Sequence, residues 1–229
     1  MQERKVCVVS GSSSGIGAAT VRRYAREGWD VVINYSRSAE PAQAVALECL
    51  ALGVQALVVR ANVADDADCR HLAAEVEAHF GRADVLVNNA GTTKFVAMKN
   101  LEGLSADDFQ AIYAVNVIGA YQLSRAFAPL LQAPPGGAIV NISSVASIMG
   151  RGSSLAYMAS KGALNALTVG LARALGPQIR VNAIAPGFVD SEWLKAGLGE
   201  ERYAKQAALW CDTAALAATI APEIGRAHV

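Results

Sequence analysis

A chain of 229 residues, 53% of them apolar, can bury the core of one large α/β domain or two small ones. Its 20 lysines and arginines balance 20 aspartates and glutamates, and this zero net charge argues against a nucleic-acid partner or an anionic membrane surface. The sequence has no CxxC pair, no metal-like histidine spacing, no signal peptide and no apolar run near the ~18 residues of a membrane span, so we expect a cytoplasmic protein without a metal site or disulfide framework.

Short β-branched apolar runs alternate along the chain with longer, alanine-rich amphipathic segments. This alternation indicates βαβ units and a parallel sheet, and runs that are apolar on successive residues suit strands covered on both faces. The predicted order is strand 5–10, helix 16–27, strand 30–35, helix 39–52, strand 55–61, helix 66–80, strand 84–89, helix 105–131, strand 137–143, helix 156–175 and strand 179–185. We therefore predict one α/β domain over residues 1–229, a doubly wound parallel sheet of about six strands with helices on both faces.

The first strand ends in the glycine-rich stretch SGSSSGIG, and a helix follows directly. Such a turn lets backbone N–H groups approach a phosphate at the positive end of the helix dipole. Gly11 can form the tight turn, Gly15 can let the backbone approach a pyrophosphate, and Gly17 can let the helix pack on the sheet. The GxxxGxG spacing departs from GxGxxG, and the alternative is an ordinary Gly/Ser turn. The predicted cofactor contacts in this loop are Gly11, Ser13, Ser14, Gly15, Ile16 and Gly17.

The end of the second strand, NYSRSAE, lacks the acidic residue that usually holds the ribose 2′-hydroxyl of NAD. Tyr35 stands in its place, and no carboxylate follows before Glu40. Ser36 and Arg37 could instead meet a 2′-phosphate, although Arg37 could equally be a solvated loop residue. We therefore expect NADP(H) to be preferred over NAD(H), with Tyr35, Ser36 and Arg37 as cofactor contacts.

The segment LAYMASKGALNAL (155–167) is built mostly of small residues, yet it carries Tyr157 and, one turn later, Lys161. The i, i+4 spacing puts both side chains on one face of a helix. Without further context, such a pair is usually a packed tyrosine beside a lysine that extends to solvent. As a reactive pair, the ammonium would instead stabilise the phenolate and lower a tyrosine pKa that is ~10 when free.

The order of six motifs resembles the short-chain dehydrogenase/reductase family over residues 4 to about 195. These motifs are SGSSSGIG, NNAG (88–91), VNVIG with Asn116, NISS (141–144), YMASK (157–161) and PGFVDS (186–191). Within the family, the sequence is similar to 3-oxoacyl-acyl-carrier-protein reductases. The resemblance implies hydride transfer between a nicotinamide cofactor and a small-molecule ketone or secondary alcohol.

The resemblance also implies roles for single residues. Tyr157 matches the acid/base, and Lys161 matches the residue that lowers its pKa and binds the nicotinamide ribose. Ser144 matches the serine that orients the carbonyl, whereas the neighbouring Ser143 would lie one residue too far away. Asn116 matches the asparagine that interrupts a helix and supports a proton-relay water. The remaining matches are cofactor contacts: Asn62, Val63, Asn89, Ala90, Gly91, Pro186, Gly187, Val189 and Ser191.

The same resemblance implies a two-fold homodimer through the helices at 105–131 and 156–175. The segment EWLKAGLGEERYAKQ after PGFVDS looks like an amphipathic lid, and we expect 192–229 to form this lid and an atypical tail. Relatives continue past the lid with a seventh strand, whereas TAALAATIA (213–221) favours helix, so we predict that this strand is absent and that 179–185 is an edge strand. The alternative function is a protein that binds cofactor with little or no turnover because of its truncated C-terminus. An epimerase or dehydratase of the same fold is disfavoured by the GxxxGxG spacing.

Overall fold

Six parallel strands alternate with helices in residues 4–213, the part of the chain that the computed structural model describes, with side chains through Leu209. The strands are β1 (Val6–Val9), β2 (Asp30–Tyr35), β3 (Ala56–Arg60), β4 (Val85–Asn88), β5 (Gly137–Ile142) and β6 (Ile179–Ile184). Each one coincides with a strand predicted from the sequence to within one residue at either end. The alternation of apolar runs and amphipathic segments is therefore sufficient to place the sheet.

Helices fill the intervals between the strands and follow the last one. They are α1 (Gly15–Arg26), α2 (Ala39–Ala51), α3 (Asp66–Phe80), α4 (Ala106–Tyr113), α5 (Ala120–Gln132), α6 (Ala146–Met149), α7 (Leu155–Leu175), α8 (Glu192–Leu198) and α9 (Glu200–Thr213). A 3₁₀ turn, Leu101–Gly103, precedes α4. The helix predicted over 105–131 is divided into α4 and α5 by a π-helical segment, Ala114–Gly119, which contains Asn116, the residue where the resemblance implies an interruption.

The strand order is β3-β2-β1-β4-β5-β6, with every neighbouring pair parallel. Winding thus proceeds outward from β1 in one direction through β3 and then in the other through β6. The carboxyl ends of β1 and β4 meet where the direction reverses, which is where ligands bind in doubly wound sheets. The predicted doubly wound parallel sheet is confirmed for the described residues.

Helices cover both faces of the sheet. Successive side chains of a strand point to opposite faces, so one strand can contribute to two hydrophobic clusters. Val6 and Val8 belong to a cluster with side chains of α3, α5 and α7, such as Phe127. Cys7 and Val9 belong to the opposite cluster with side chains of α1 and α2. All four residues of β1 are buried, as expected for a central strand.

The β6 strand is one edge of the sheet within residues 4–213, and its residues 182–184 are exposed. This agrees with the predicted edge. The predicted missing seventh strand concerns residues that mostly lie outside the described part of the chain, so it stays a prediction, as do the single domain over 1–229 and the cytoplasmic setting. None of the described helices is long and apolar enough to cross a bilayer.

Candidate active site

The loop after β1 has the glycine-dependent geometry that its sequence predicts. Gly11 and Gly15 have φ values of +60° and +54°, a left-handed conformation that glycine adopts at little cost. A Cβ on Gly11 would lie 2.9 Å from Ala90 Cα, and one on Gly17 would lie 2.5 Å from Asn89 Nδ2. Side chains at Gly11 and Gly17 would therefore separate this loop from the loop after β4.

The N-terminus of α1 is open to a ligand. Apart from its chain neighbours and the backbone of α1, no atom of the described residues would lie within 4 Å of a Cβ built on Gly15. In this part of the chain the Ser14 side chain makes no capping hydrogen bond to α1, and the first turn holds no acidic residue. Because the first N–H groups of a helix lack internal partners, they can bind an anion at the positive end of the helix dipole. The loop therefore fits a dinucleotide pyrophosphate.

Asn34, which the sequence reasoning missed, holds this loop in place from the end of β2. Its buried side chain accepts a hydrogen bond from Gly11 N at 3.0 Å and donates to Ala61 O at 3.0 Å and Val59 O at 3.3 Å. Its backbone N–H donates to Ser12 Oγ at 3.0 Å. The available signal was an asparagine directly after the apolar run VVI of this strand.

The NNAG segment connects the glycine-rich loop to the centre of the site. Ser10 Oγ accepts hydrogen bonds from Asn89 N at 3.0 Å and Ala90 N at 3.1 Å. The Asn89 amide donates to Ser10 O and Gly11 O, both at 2.9 Å, and thus braces the glycine-rich loop; its cofactor contact stays a prediction. Gly91 follows, and a Cβ there would lie 3.5 Å from Asn116 Oδ1 and 3.7 Å from Lys161 Nζ.

Two arginines lie near the end of β2, where the sequence predicts a 2′-phosphate contact. Tyr35 is half-buried, and both Ser36 and Arg37 are exposed. Tyr35 pairs with Arg60 across the sheet, and Arg60 Nε donates to Ser36 O at 3.3 Å. The sequence reasoning missed Arg60 because only the strand register brings it to this edge.

Asn62 and Val63 follow β3 and differ in exposure. Asn62 is exposed; its N–H donates to Asp68 Oδ2 at 2.7 Å, and its Oδ1 accepts from Ala64 N at 3.2 Å. Val63 is buried, and a Cβ on Gly119 would lie 2.8 Å from its carbonyl oxygen. This pair thus packs against the π-helical segment and leaves the Asn62 side chain at the surface.

Ser144, Tyr157 and Lys161 meet beyond the carboxyl end of β5. Burial raises the pKa of Tyr157, whereas a hydrogen bond with the Ser144 hydroxyl lowers it to a smaller extent. Lys161 is 3% exposed, and its Nζ donates to Ile142 O at 2.6 Å and lies 5.7 Å from the centroid of the Tyr157 ring. Burial lowers the pKa of Lys161 from 10.5 to about 8. The phenol is therefore neutral at pH 7, and the ammonium beside it is largely charged.

Asn116 braces the helix that carries this pair. It lies in the π-helical segment and is 1% exposed. Its side chain accepts from Thr92 N at 2.8 Å and donates to Thr92 O and Ser160 Oγ, both at 3.0 Å. Ser160 Oγ in turn donates to Tyr157 O at 2.7 Å. Asn116 thus links the loop after β4 to α7, and π-helical segments of this kind are frequent at functional sites.

The PGFVDS loop completes the rim of the site after β6. Pro186 O accepts from Val145 N at 3.1 Å, which places this loop beside the residue that follows Ser144. Val189 is buried and Gly187 is half-buried. Ser191 Oγ accepts from Leu194 N at 3.4 Å as the N-cap of α8, so its hydroxyl is committed to starting that helix.

Comparison with known proteins decides the family to which this arrangement belongs. The family model described as short chain dehydrogenase matches residues 5–201. The chain belongs to the short-chain dehydrogenase/reductase family. It is similar to a Streptomyces violaceoruber protein named ketoacyl reductase 2 of the granaticin polyketide synthase, with 42% identity over 83% of this chain and 75% of the relative. It is also 36% identical to a Staphylococcus aureus 3-oxoacyl-acyl-carrier-protein reductase, over 86% of this chain and 79% of that protein.

Three solved structures each match 97% of the chain. A short-chain dehydrogenase/reductase from Burkholderia xenovorans has a TM-score of 0.88 and 40% identity over 88% of its own length. A Burkholderia cenocepacia short-chain dehydrogenase in complex with NADP has a TM-score of 0.85 and 36% identity over 86% of its length. An NAD⁺-bound xylitol dehydrogenase has a TM-score of 0.86 and 28% identity over 90% of its length.

Membership of the short-chain dehydrogenase/reductase family makes the protein an NAD(P)-dependent oxidoreductase, as the sequence motifs predict. The similarity to 3-oxoacyl-acyl-carrier-protein reductases is confirmed as well. Among the described residues, no group of three or more histidine, cysteine, aspartate or glutamate side chains is placed to hold a metal ion. Trp193 beside Tyr157 and Phe95 beside Trp193 escaped the sequence reasoning, because none of the six motifs includes these residues.

Proposed function

We propose that the protein transfers hydride between NADP(H) and a ketone or secondary alcohol at a site formed by Ser144, Tyr157 and Lys161. The observation that carries this proposal is the meeting of these side chains, with the Ser144 hydroxyl close enough to the phenol to lower its pKa and the buried Lys161 ammonium 5.7 Å from its ring. A bound nicotinamide would supply or accept the hydride. The protein supplies the proton, the orientation of the carbonyl and the charge that stabilises the reaction.

In the direction of reduction, Tyr157 is the proton donor. Its raised pKa keeps the phenol protonated at neutral pH, so that it donates to the carbonyl oxygen as negative charge develops there. Ser144 donates a hydrogen bond to the same oxygen and shares its charge. The Lys161 ammonium, held by Ile142 O, stabilises the phenolate that remains. In the direction of oxidation, the phenolate takes the proton from the alcohol.

The choice of NADP(H) rests on the charges at the end of β2. Tyr35 offers no carboxylate to a ribose 2′-hydroxyl, whereas Arg37 and Arg60 are exposed at this edge and can pair with a 2′-phosphate. Relatives of known structure hold either NADP or NAD⁺, so the local charges carry the proposal. One charge-assisted contact contributes ~1.5–3 kcal/mol, roughly a 10- to 150-fold preference.

We also propose a homodimer and a lid. Exposed apolar side chains lie on both helical regions implied by the resemblance: Phe109, Ile118 and Tyr121 along α4, the π-helical segment and α5, and Val169 on α7. Burial of such side chains in a two-fold contact would remove them from water. The helices α8 and α9 follow the PGFVDS loop, and we propose that they cover the site as a lid. Light scattering at micromolar concentration tests the dimer, and a monomer would contradict it.

The function is tested by following the oxidation of NADPH and NADH by the wild-type protein with a panel of ketones. We expect ketone-dependent oxidation with a higher kcat/KM for NADPH, and Arg37→Asp should narrow or invert that preference. Arg26→Asp makes the same charge change on an exposed residue in the last turn of α1 and should leave the preference unchanged. Tight cofactor binding without any turnover would instead support the non-catalytic alternative, and equal kcat/KM for both cofactors would contradict the NADP(H) preference.

A further inference from the structure

Three aromatic rings from three separate segments meet at the proposed reaction site. Phe95 lies in the loop after β4, Trp193 lies in α8, and Tyr157 lies in α7. The Trp193 ring centroid is 5.6 Å from that of Phe95, with the ring planes at 59°, and 6.4 Å from that of Tyr157, with the planes at 51°. Trp193 is 47% exposed, so one of the largest apolar side chains of the protein stands open to solvent next to the proton donor.

The position of Phe95 is fixed by a glycine of α8. A Cβ built on Gly197 would overlap the Phe95 ring, so the ring lies directly against the helix backbone. Gly197 is one turn after Trp193 and therefore on the same side of α8. Glycine destabilises a helix interior relative to alanine, and here its lack of a side chain provides the space that the Phe95 ring occupies.

The loop that carries Phe95 is tied to the segment just before α7. Val96 N donates to Ser153 O at 2.8 Å, and the hydroxyls of Thr93 and Ser153 share a hydrogen bond at 2.7 Å. The Phe95 ring is therefore positioned by hydrogen bonds between its loop and the segment before α7, and by packing against α8. A ligand that enters beside this ring meets a preformed surface, which reduces the entropy lost on binding.

The lysines that neighbour these two rings along the chain, Lys94 and Lys195, are each paired with a carboxylate. Lys94 Nζ lies 2.7 Å from Asp108 Oδ2, and Lys195 Nζ lies 3.2 Å from Asp190 Oδ1. On the segment directly after Ser144, two large apolar side chains of α6 are exposed, namely Ile148 (76%) and Met149 (51%). These features favour an uncharged, apolar group next to the reacting carbonyl.

We propose that Phe95 and Trp193, here called the aromatic clamp, bind a planar aryl group attached to the carbonyl or carbinol carbon of the substrate. Aromatic rings interact favourably in tilted or offset arrangements with centroids ~4.5–7 Å apart, and both members of the clamp can offer a ring to a third one at this range. The substrate class is therefore aryl ketones and their alcohols. This inference rests on the proposed function, since it names the substrate of the same site.

The test compares two ketones that differ only in the planarity of one ring, namely methyl phenyl ketone and methyl cyclohexyl ketone, each reduced with NADPH. Conjugation changes their intrinsic reactivity, so the decisive quantity is the change in the ratio of their kcat/KM values between wild type and variants. Trp193→Ala should lower the ratio of phenyl to cyclohexyl substrate by about 2- to 12-fold, mostly through KM. Trp193→Phe should largely retain the ratio.

Further variants separate ring recognition from general packing. Trp193→Leu keeps an apolar side chain without an aromatic face and should lower the ratio like Trp193→Ala. Gly197→Ala forces the Phe95 ring to move and should also lower it, although no aromatic side chain is removed. Leu47→Ala removes an exposed apolar side chain from α2 and should leave the ratio unchanged.

Each outcome bears on a distinct claim. An unchanged ratio in both Trp193→Leu and Gly197→Ala, or an equal loss for the two ketones, would overturn the aromatic clamp and leave the proposed function intact. Preference for a 3-oxoacyl thioester that does not depend on Trp193 would overturn it in the same way. No ketone-dependent oxidation of NADPH by the wild-type protein would overturn the proposed function and the clamp together.

Discussion

Two tyrosine–lysine pairs, one in the candidate site and one next to it, have similar geometry, but the pKa of the lysine is shifted in opposite directions. Lys161 Nζ lies 5.7 Å from the Tyr157 ring centroid, and Lys195 Nζ lies 5.6 Å from the Tyr203 ring centroid. Lys161 is 3% exposed, and burial lowers its pKa to about 8. The Lys195 side chain is 41% exposed, and hydrogen bonds with Glu192 and then Asp190 raise its pKa. The environment, not the pairing, thus decides what each lysine can do.

The partners explain the difference. In the exposed pair, Asp190 accepts a hydrogen bond from Tyr203 at 2.7 Å and lies 3.2 Å from Lys195, and these two contacts lower the pKa of Asp190. Its charges are therefore neutralised within the cluster. In residues 4–209, Lys161 Nζ instead has a neutral carbonyl, Ile142 O, as its hydrogen-bond partner. Its positive charge remains available to a phenolate, which is what the proposed acid/base step requires.

Removing the two phenols tests this comparison with the largest expected effect. Tyr157→Phe keeps the ring and removes the proton donor, so cofactor binding should survive while kcat falls on the order of 10²–10⁴-fold. Tyr203→Phe removes a phenol whose hydroxyl serves Asp190 and should leave kcat near that of the wild type. Steady-state rates and calorimetric titration of NADPH measure the two properties. Near-wild-type turnover in Tyr157→Phe would refute the mechanism.

Replacing the two lysines tests the cost of burial. Because the pKa of Lys161 is about 8 in the folded protein and 10.5 for an unperturbed lysine, the unfolded chain binds more protons between these pH values. The free energy of unfolding of the wild type should therefore rise with pH across this window relative to Lys161→Met, by about 3 kcal/mol in total.

The measurement is urea unfolding of the cofactor-free protein at several pH values from 8 upward. Lys195→Met is the matched control, because the pKa of Lys195 is raised and its stabilisation is present below its unfolded pKa. Its difference from the wild type should stay constant until the highest pH of the series. Parallel curves for the wild type and Lys161→Met would show that the Lys161 ammonium is not penalised by burial.

The helix that carries Tyr157 and Lys161 and the strands of the sheet could be predicted from the sequence, because both depend on local periodicity. The spacing of Tyr157 and Lys161 and the apolar runs of the strands are properties of neighbouring residues. The overlap of Phe95 with any side chain at Gly197 is not, because the two residues are far apart in the chain and meet only through the fold. The role of Asn34 was hidden for the same reason, since its partners lie in two other segments.

The raised pKa of Tyr157 also differs from what its motif suggests. The sequence implies that Lys161 lowers this pKa, whereas burial of the phenol outweighs the hydrogen bond with Ser144 in the protein alone. Burial depends on every segment that surrounds the ring, among them Gly152, where a Cβ would lie 3.6 Å from Tyr157 Cδ1. An i, i+4 spacing indicates proximity and carries no information about desolvation.

Asn116 holds α7, which carries Tyr157 and Lys161, against the loop after β4. Removing its side chain should have an intermediate effect on stability and turnover. Asn116→Ala leaves the Thr92 N–H and the Ser160 hydroxyl without a side-chain partner, at a cost of ~1–3 kcal/mol. We expect urea unfolding to show this loss and kcat to fall, because Ser160 bonds the Tyr157 backbone. Asn182→Ala, on the exposed edge of β6, is the control and should change neither property. Loss of stability with unchanged kcat would show that the brace is not needed to position Tyr157.

Neutralising the acid of the exposed pair should have the smallest effect. Asp190→Asn removes the ion pair with Lys195, but its amide oxygen can still accept from Tyr203. Because the side chains of Lys195 and Asp190 are 41% and 46% exposed, solvent screens their ion pair, and the free energy of unfolding should not change measurably. The pKa of Tyr203, which burial and then Asp190 raise, should fall toward its ordinary value, while the raised pKa of Tyr157 should stay in place. Titration of ring-labelled tyrosine by NMR separates the two phenols. A shift of Tyr157 in Asp190→Asn would show that the two pairs are electrostatically coupled, and the contrast between a desolvated pair and a solvated one would then fail.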